Sequence, residues 1–153
     1  MKLSNLLMAG LALSVMLGLA PESKTPFVVT DRLLDAIKQV ESGGNSKAVS
    51  PKGAKGAYQI LKSTWKEHSN GVSYDKVFDE VESRKVCKTY LVWIDRYLTR
   101  KMNRDATRDE VIICYNGGIG RFTKVKFDMT QMPAESRQYV VKINKQITAS
   151  GGK

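Results

Sequence analysis

The chain has 153 residues, 42% of them apolar and 26% charged, which suits one globular domain and excludes disorder over its whole length. Lys and Arg number 25 against 15 acidic residues, a formal net charge of +10. A surface of that sign favours polyanionic partners. The charge is spread along the chain rather than gathered in a basic-aromatic motif, so nucleic acid is not the expected partner.

The N-terminus reads as an export segment. Lys2 supplies a positive start, and Leu6 to Ala20 is an uncharged apolar run broken only by Ser14. That run is short for a membrane span, which takes roughly 20 apolar residues, and it has the form of a secretory signal peptide. Gly18-Leu19-Ala20 offers a small-x-small cleavage site, but Pro21 directly after it hinders cleavage. Residues 1–20 are therefore either a cleaved signal peptide or an uncleaved N-terminal anchor. Either version places the rest of the chain in the periplasm or cell envelope, with membrane contact only through residues 1–20 if they are retained. In that setting the acidic cell wall or anionic lipid headgroups suit the basic surface better than nucleic acid does.

Residues 21–29 read as a linker. Thr30 is a good N-cap, and Leu33, Leu34, Ile37 and Val40 give the following helix an apolar stripe at helical spacing. Gly43-Gly44 stops it. Asn45 to Gly56 is a loop rich in Ser, Lys and Gly. The spacing of Tyr58, Leu61 and Trp65 predicts a second helix from about Ala57. Residues 66–82 are polar and ambiguous. Val86, Tyr90, Trp93, Ile94, Tyr97 and Leu98 recur every three or four residues and mark a third helix. Thr107-Arg108-Asp109-Glu110 is a capping-box pattern that opens a fourth helix through Val111, Ile112 and Tyr115. Asn116-Gly117-Gly118 closes it, and the glycines up to Gly120 read as a tight turn. Pro133 suits the start of a fifth helix carrying Tyr139, Val140, Ile143 and Ile147. Ser150 to Lys153 is a flexible tail. No segment alternates like a strand, so the expected fold class is mainly α.

Glu41 is oddly placed. Leu34, Ile37 and Glu41 share one helix face, and that face is apolar. A carboxylate at a helix C-terminus also meets the negative end of the dipole. Both influences disfavour the charged form and raise the pKa, as a general acid requires. The same spacing is equally compatible with a Glu turned to solvent at a fraying helix end. Other chemistries lack their parts. His68 is the only histidine, it lies in a polar stretch, and it reads as a surface residue. Cys87 and Cys114 lack metal-finger spacing; in an exported protein they can pair as a disulfide or remain buried thiols. Neither a metal nor a cofactor is expected.

Four segments in order carry a resemblance. They are Glu41-Ser42-Gly43-Gly44, Gly56-Ala57-Tyr58-Gln59-Ile60, Cys114-Tyr115-Asn116-Gly117-Gly118 and Glu135-Ser136-Arg137-Gln138-Tyr139-Val140. Together they resemble the catalytic domain of soluble lytic transglycosylases, which is related in fold to goose-type lysozyme. The resemblance spans about Leu33 to Ile147 and implies a lysozyme-like helical domain over residues 30–149 with a glycan-binding cleft. It implies peptidoglycan glycan strands as substrate and cleavage of the bond between N-acetylmuramic acid and N-acetylglucosamine without water, giving 1,6-anhydromuramyl ends. A muramidase using water, or a non-catalytic wall-binding module, would use the same cleft. Glu41 would be the catalytic acid and base. Ser42, Tyr58, Gln59, Tyr115, Asn116 and Tyr139 would shape the site or bind sugar. Glu135 reads as a helix-start residue instead. The chain departs from the family pattern at Tyr58 (often Met), Cys114 and Gly117 (both commonly Ala) and Ser136 (Thr). The first three of these bear on packing or sugar fit around the cleft. A single-domain enzyme of this kind would serve a secretion, pilus, flagellar or phage assembly, or wall turnover.

Overall fold

The computed structural model describes residues 27–151. The expected signal peptide or anchor, most of the linker and the last two residues lie outside the described part. Six α-helices carry the fold: α1 (Asp31–Ser42), α2 (Lys62–His68), α3 (Glu80–Met102), α4 (Arg108–Gly117), α5 (Ile119–Lys124) and α6 (Ala134–Ala149). Short 3-10 turns cover Tyr74–Phe78 and Met129–Gln131. Among the described residues there is no β-sheet, only isolated bridges between Val49 and Lys55 and between Lys55 and Ile60. No described helix is long and apolar enough to cross a membrane.

α4 is the centre of the domain. Val111, Ile112, Ile113 and Cys114 are all fully buried, and a helix apolar on every side belongs inside. α3 and α6 pack against it, and α1 packs against α6. Leu33, Leu34 and Ile37 of α1, Leu91, Ile94 and Leu98 of α3 and Ile143 of α6 complete the core. The first turn of α4 is held by the expected capping box. The Thr107 hydroxyl accepts from the Glu110 N–H, and the Glu110 carboxylate accepts from the Thr107 N–H at 2.8 Å. Arg104 also donates to Glu110, so this nearly buried carboxylate is fully paired. At the linker's end, Phe27 and Val29 pack on the core.

Three expectations need correction. The predicted second helix starts five residues late, because residues 57–61 form a bridged turn rather than a helix. Lys55 and Ile60 exchange main-chain hydrogen bonds at 2.9 and 3.1 Å, and Gln59 takes a left-handed φ of 48°. Residues after Gly118 are not a tight turn but the short helix α5, which turns back so that Phe122 enters the core. His68 is not on the surface: it is 7% exposed and lies against the rings of Tyr90 and Trp93. Its polar neighbours in sequence disguised a ring that tertiary stacking covers.

Candidate active site

Thr30 opens α1 by accepting from the Leu33 N–H, and Gly43 closes it at φ 63° with its N–H bonded to the Gln39 carbonyl. That stop places Glu41 in the last turn of α1, where the buried face of the helix runs out into a cleft. The cleft has a volume of about 380 Å³. The 45–61 loop forms one wall through Ser50, Lys52, Ala54, Gln59 and Leu61. The end of α4 (Asn116, Gly117), Arg121 of α5 and the start of α6 (Pro133, Glu135, Ser136) form the other.

Burial pushes the Glu41 carboxyl from its ordinary 4.5 up to about 7, the nearby Tyr139 hydroxyl works against that rise, and the negative charge of Glu135 adds to it. The carboxyl thus holds its proton near neutral pH while still facing the cleft. The Tyr139 ring is 5% exposed and its hydroxyl is directed at Glu41, but the two do not meet hydrogen-bond geometry, and the hydroxyl has no other partner. A buried hydroxyl left unpaired costs free energy. The carboxylate formed when Glu41 ionises is a stronger acceptor for such a donor than the protonated acid is.

The loop wall is built by long-range ties. The Ser42 hydroxyl donates to the Ala57 carbonyl at 2.8 Å, and the Tyr115 hydroxyl donates to the Tyr58 carbonyl at 2.8 Å. The Gln59 side-chain amide donates to the carbonyls of Gly56 (2.9 Å) and Ala48 (3.4 Å). With its nitrogen so engaged, Gln59 has its side-chain oxygen to offer a ligand. Gly56, at φ 76°, sits so tightly against the next turn that a β-carbon there would lie 2.2 Å from the Val77 carbonyl oxygen. No side chain fits, and the left-handed backbone favours glycine as well.

The expected site residues thus fall into three groups. Glu41, Gln59 and Asn116 line the cleft. Ser42, Tyr115 and Tyr139 stand behind it and fix its wall or face its acid. Tyr58 does not reach it: the side chain is fully buried and its hydroxyl accepts from Arg84 at 2.9 Å, on the side where Arg84 also binds Asp31 and Asp35. Only the Tyr58 main-chain carbonyl serves the site. The disulfide considered between Cys87 and Cys114 is not formed; both are buried free thiols. Burial drives the Cys87 thiol up to about 12, so it stays protonated.

Sequence reasoning passed over Lys52, Leu61 and Arg121, and it read Glu135 as a helix-start residue alone. Arg121 was hidden because α5 itself was taken for a turn. Glu135 does open α6, where an acid suits the dipole, and it also borders the cleft. The departure at Gly117 follows from its neighbours. A β-carbon at Gly117 would come within 2.7 Å of the Ser136 hydroxyl and 2.6 Å of the Met132 methyl. Among the described residues, no group of three His, Cys, Asp or Glu side chains is arranged to hold a metal ion.

Residues 20–136 match the family model described as the transglycosylase SLT domain. Among solved structures, the chain is similar to the lytic transglycosylase Slt from Pseudomonas aeruginosa, an X-ray structure of an inactive mutant, with a TM-score of 0.66 and 22% identity. The match covers 80% of this chain and 22% of that one, so this chain spans about a fifth of the length of the protein it resembles. At that identity the likeness bears on the fold. No curated protein matched the chain.

Proposed function

The chain belongs to the transglycosylase SLT domain family, and from that premise we propose that it is a peptidoglycan lytic transglycosylase in which Glu41 acts first as acid and then as base. The observation that carries this reading is the placement of the Glu41 carboxyl, which lines the cleft with the Tyr139 hydroxyl aimed at it and whose pKa burial raises toward neutral pH.

Protonated Glu41 gives its proton to the oxygen linking the muramyl C1 to the next sugar, and the C1–O bond breaks as that sugar leaves. The carboxylate so formed takes the proton from the C6 hydroxyl of the same muramyl unit, whose oxygen closes on C1. The product is a 1,6-anhydro ring, no water is consumed, and Glu41 ends protonated as it began. An intramolecular hydroxyl attacks at very high effective concentration, so no second carboxylate is needed to activate water. Tyr139 stabilises the carboxylate between the two transfers, when its idle hydroxyl at last has an anion to bond. Gln59 and Asn116 hold sugar hydroxyls and amides along the cleft. Lys52 and Arg121 suit the carboxylates of the wall's peptide stems.

A second reading has one observation in its favour. Glu135 also lines the cleft, and a carboxylate there is a candidate to activate water in a hydrolytic muramidase. Digestion of purified sacculi in water labelled with heavy oxygen separates the two. Transglycosylation leaves the new muramyl ends unlabelled, whereas hydrolysis puts one labelled oxygen on each. No fragment release at all would contradict both.

We further propose that the protein acts in the cell envelope, exported by residues 1–20, and that residues 30–149 form the catalytic domain. By opening the wall locally, this domain would serve a secretion, pilus, flagellar or phage assembly.

A further inference from the structure

The proposed reaction leaves one aromatic cluster unused. Tyr90, Trp93 and Tyr97 follow one another along α3 and stack: Tyr90 on Trp93 at 6.1 Å with planes 22° apart, and Trp93 on Tyr97 at 5.6 Å and 28°. His68, the last residue of α2, lies against Tyr90 at 4.9 Å and Trp93 at 5.3 Å. Its Nε2 is buried with no hydrogen-bond partner, the Glu67 carboxylate standing off at 3.9 Å.

Trp93 is treated differently from the other tryptophan. Trp65 is 1% exposed and donates its indole N–H to the Val72 carbonyl, as a core tryptophan should, whereas Trp93 is 41% exposed. Beside it lies an open pocket of about 330 Å³, lined by His68, Thr89 and Val92 together with Lys88 and Arg96. None of these residues lines the catalytic cleft. No ion pair among the described residues uses Lys88 or Arg96. A half-exposed indole on the wall of this pocket offers apolar surface to the C–H groups of a pyranose. Two uncommitted cations in its lining call for a carboxylate. The concave form of the pocket and its two cations favour a carboxylate-bearing strand of glycan over a flat lipid surface.

We propose that the cavity between α2 and α3 is a second glycan-binding site, in which a sugar ring packs against the exposed part of Trp93 while Lys88 and Arg96 hold a carboxylate carried by the same strand. The proposal rests on peptidoglycan being the substrate, whose lactyl-linked peptides supply the carboxylates. The site holds the strand beyond the cleft, so that one cut leaves the enzyme still attached.

The test uses a Glu41→Gln protein, to prevent cleavage, and a disaccharide dipeptide fragment of peptidoglycan as the probe. Neutral N-acetylglucosamine tetramer is the comparison ligand. Nuclear magnetic resonance reads the two regions apart: the Trp93 indole and the Thr89 and Val92 amides report the cavity, and the Asn116 and Gly117 amides report the cleft. The charged fragment is expected to shift both sets, and to bind the cavity more tightly than the neutral sugar does. Adding Trp93→Ala weakens binding at the cavity by about tenfold, the loss of one anchoring aromatic, and leaves the cleft signals responsive. Adding Lys88→Glu with Arg96→Glu, both at exposed positions, abolishes the preference for the charged fragment. Cleft signals that move while Trp93, Thr89 and Val92 stay still would overturn the second site and leave the proposed function intact. Neither set moving would count against both. A Trp93 response to anionic lipid vesicles but not to the fragment would overturn the glycan assignment in favour of a membrane-facing patch.

Discussion

The Tyr115 hydroxyl donates to the main-chain carbonyl of Tyr58 across 57 residues of sequence, at 2.8 Å, and so pins the loop wall of the cleft to the end of α4. The Tyr139 hydroxyl, directed at Glu41, is pinned to nothing. Two tyrosines of similar setting therefore make opposite predictions. Tyr115→Phe leaves a buried carbonyl unpaired and should cost about 1–3 kcal/mol of stability as well as activity. Tyr139→Phe deletes an unsatisfied group, so its Tm should stay level or rise while kcat falls by roughly 100-fold, the loss of one donor to developing charge. Thermal melts of the two variants, set beside turnover on sacculi, check the contrast. Equal loss of Tm in both would contradict it.

The pH dependence follows from the direction of the Glu41 shift. Glu41 must be protonated to begin, so kcat/KM should fall on the alkaline side with an apparent pKa of about 7. The Tyr139 hydroxyl aimed at Glu41 favours the charged form, so Tyr139→Phe should move that limb to higher pH. A limb unmoved in the variant would mean that the hydroxyl does not sense the acid.

The same shift sets a stability prediction. A carboxyl raised from 4.5 to about 7 holds its proton in the folded state after the unfolded chain has lost it. Stability therefore declines as pH rises through that window and stays lowered above it. Glu41→Gln removes the effect, so the inactive variant should be more stable than wild type above pH 7, by up to about 3 kcal/mol. The two should converge below about pH 4.5. Denaturant unfolding at the two ends of the range measures this, and a variant less stable than wild type at high pH would contradict it.

Gly56 tests the loop wall. A β-carbon there would meet the Val77 carbonyl at 2.2 Å on a left-handed backbone, so Gly56→Ala should cost more than ~2 kcal/mol and displace Gln59 from the cleft. Gly53→Ala shares the positive φ but meets nothing within 4 Å, and should cost only the backbone strain. Comparable losses in the two, by chemical denaturation, would show that the close approach to Val77 is not what matters.

Local signals in the sequence carried the ends of α1 and α4. Thr30, Gly43 and the Thr107–Glu110 box act within four residues of themselves, so they read correctly without tertiary knowledge. The turn at residues 57–61 did not, because Tyr58, Leu61 and Trp65 fall at helical spacing while the backbone is held by the Lys55–Ile60 bridge and by bonds from Ser42 and Tyr115 to the carbonyls of Ala57 and Tyr58. Tyr58 was assigned to the site by its position in a motif, but its ring follows Arg84 to the opposite side. His68 was misplaced for the same reason: its partners Tyr90 and Trp93 are distant in sequence. Glu41 was legible as an anomaly from helical spacing and as a role only through the accompanying motifs. Its burial and the idle hydroxyl of Tyr139 belong to the folded chain alone.

The most direct test of the Glu41 mechanism is mass spectrometry of the muropeptides released from purified sacculi by the wild-type protein and by Glu41→Gln. The account predicts anhydromuramyl products, lighter by one water than reducing-end muropeptides, from the wild type, and no release from a variant that folds normally. Reducing-end products from the wild type, or anhydro products from the variant at an undiminished rate, would contradict it.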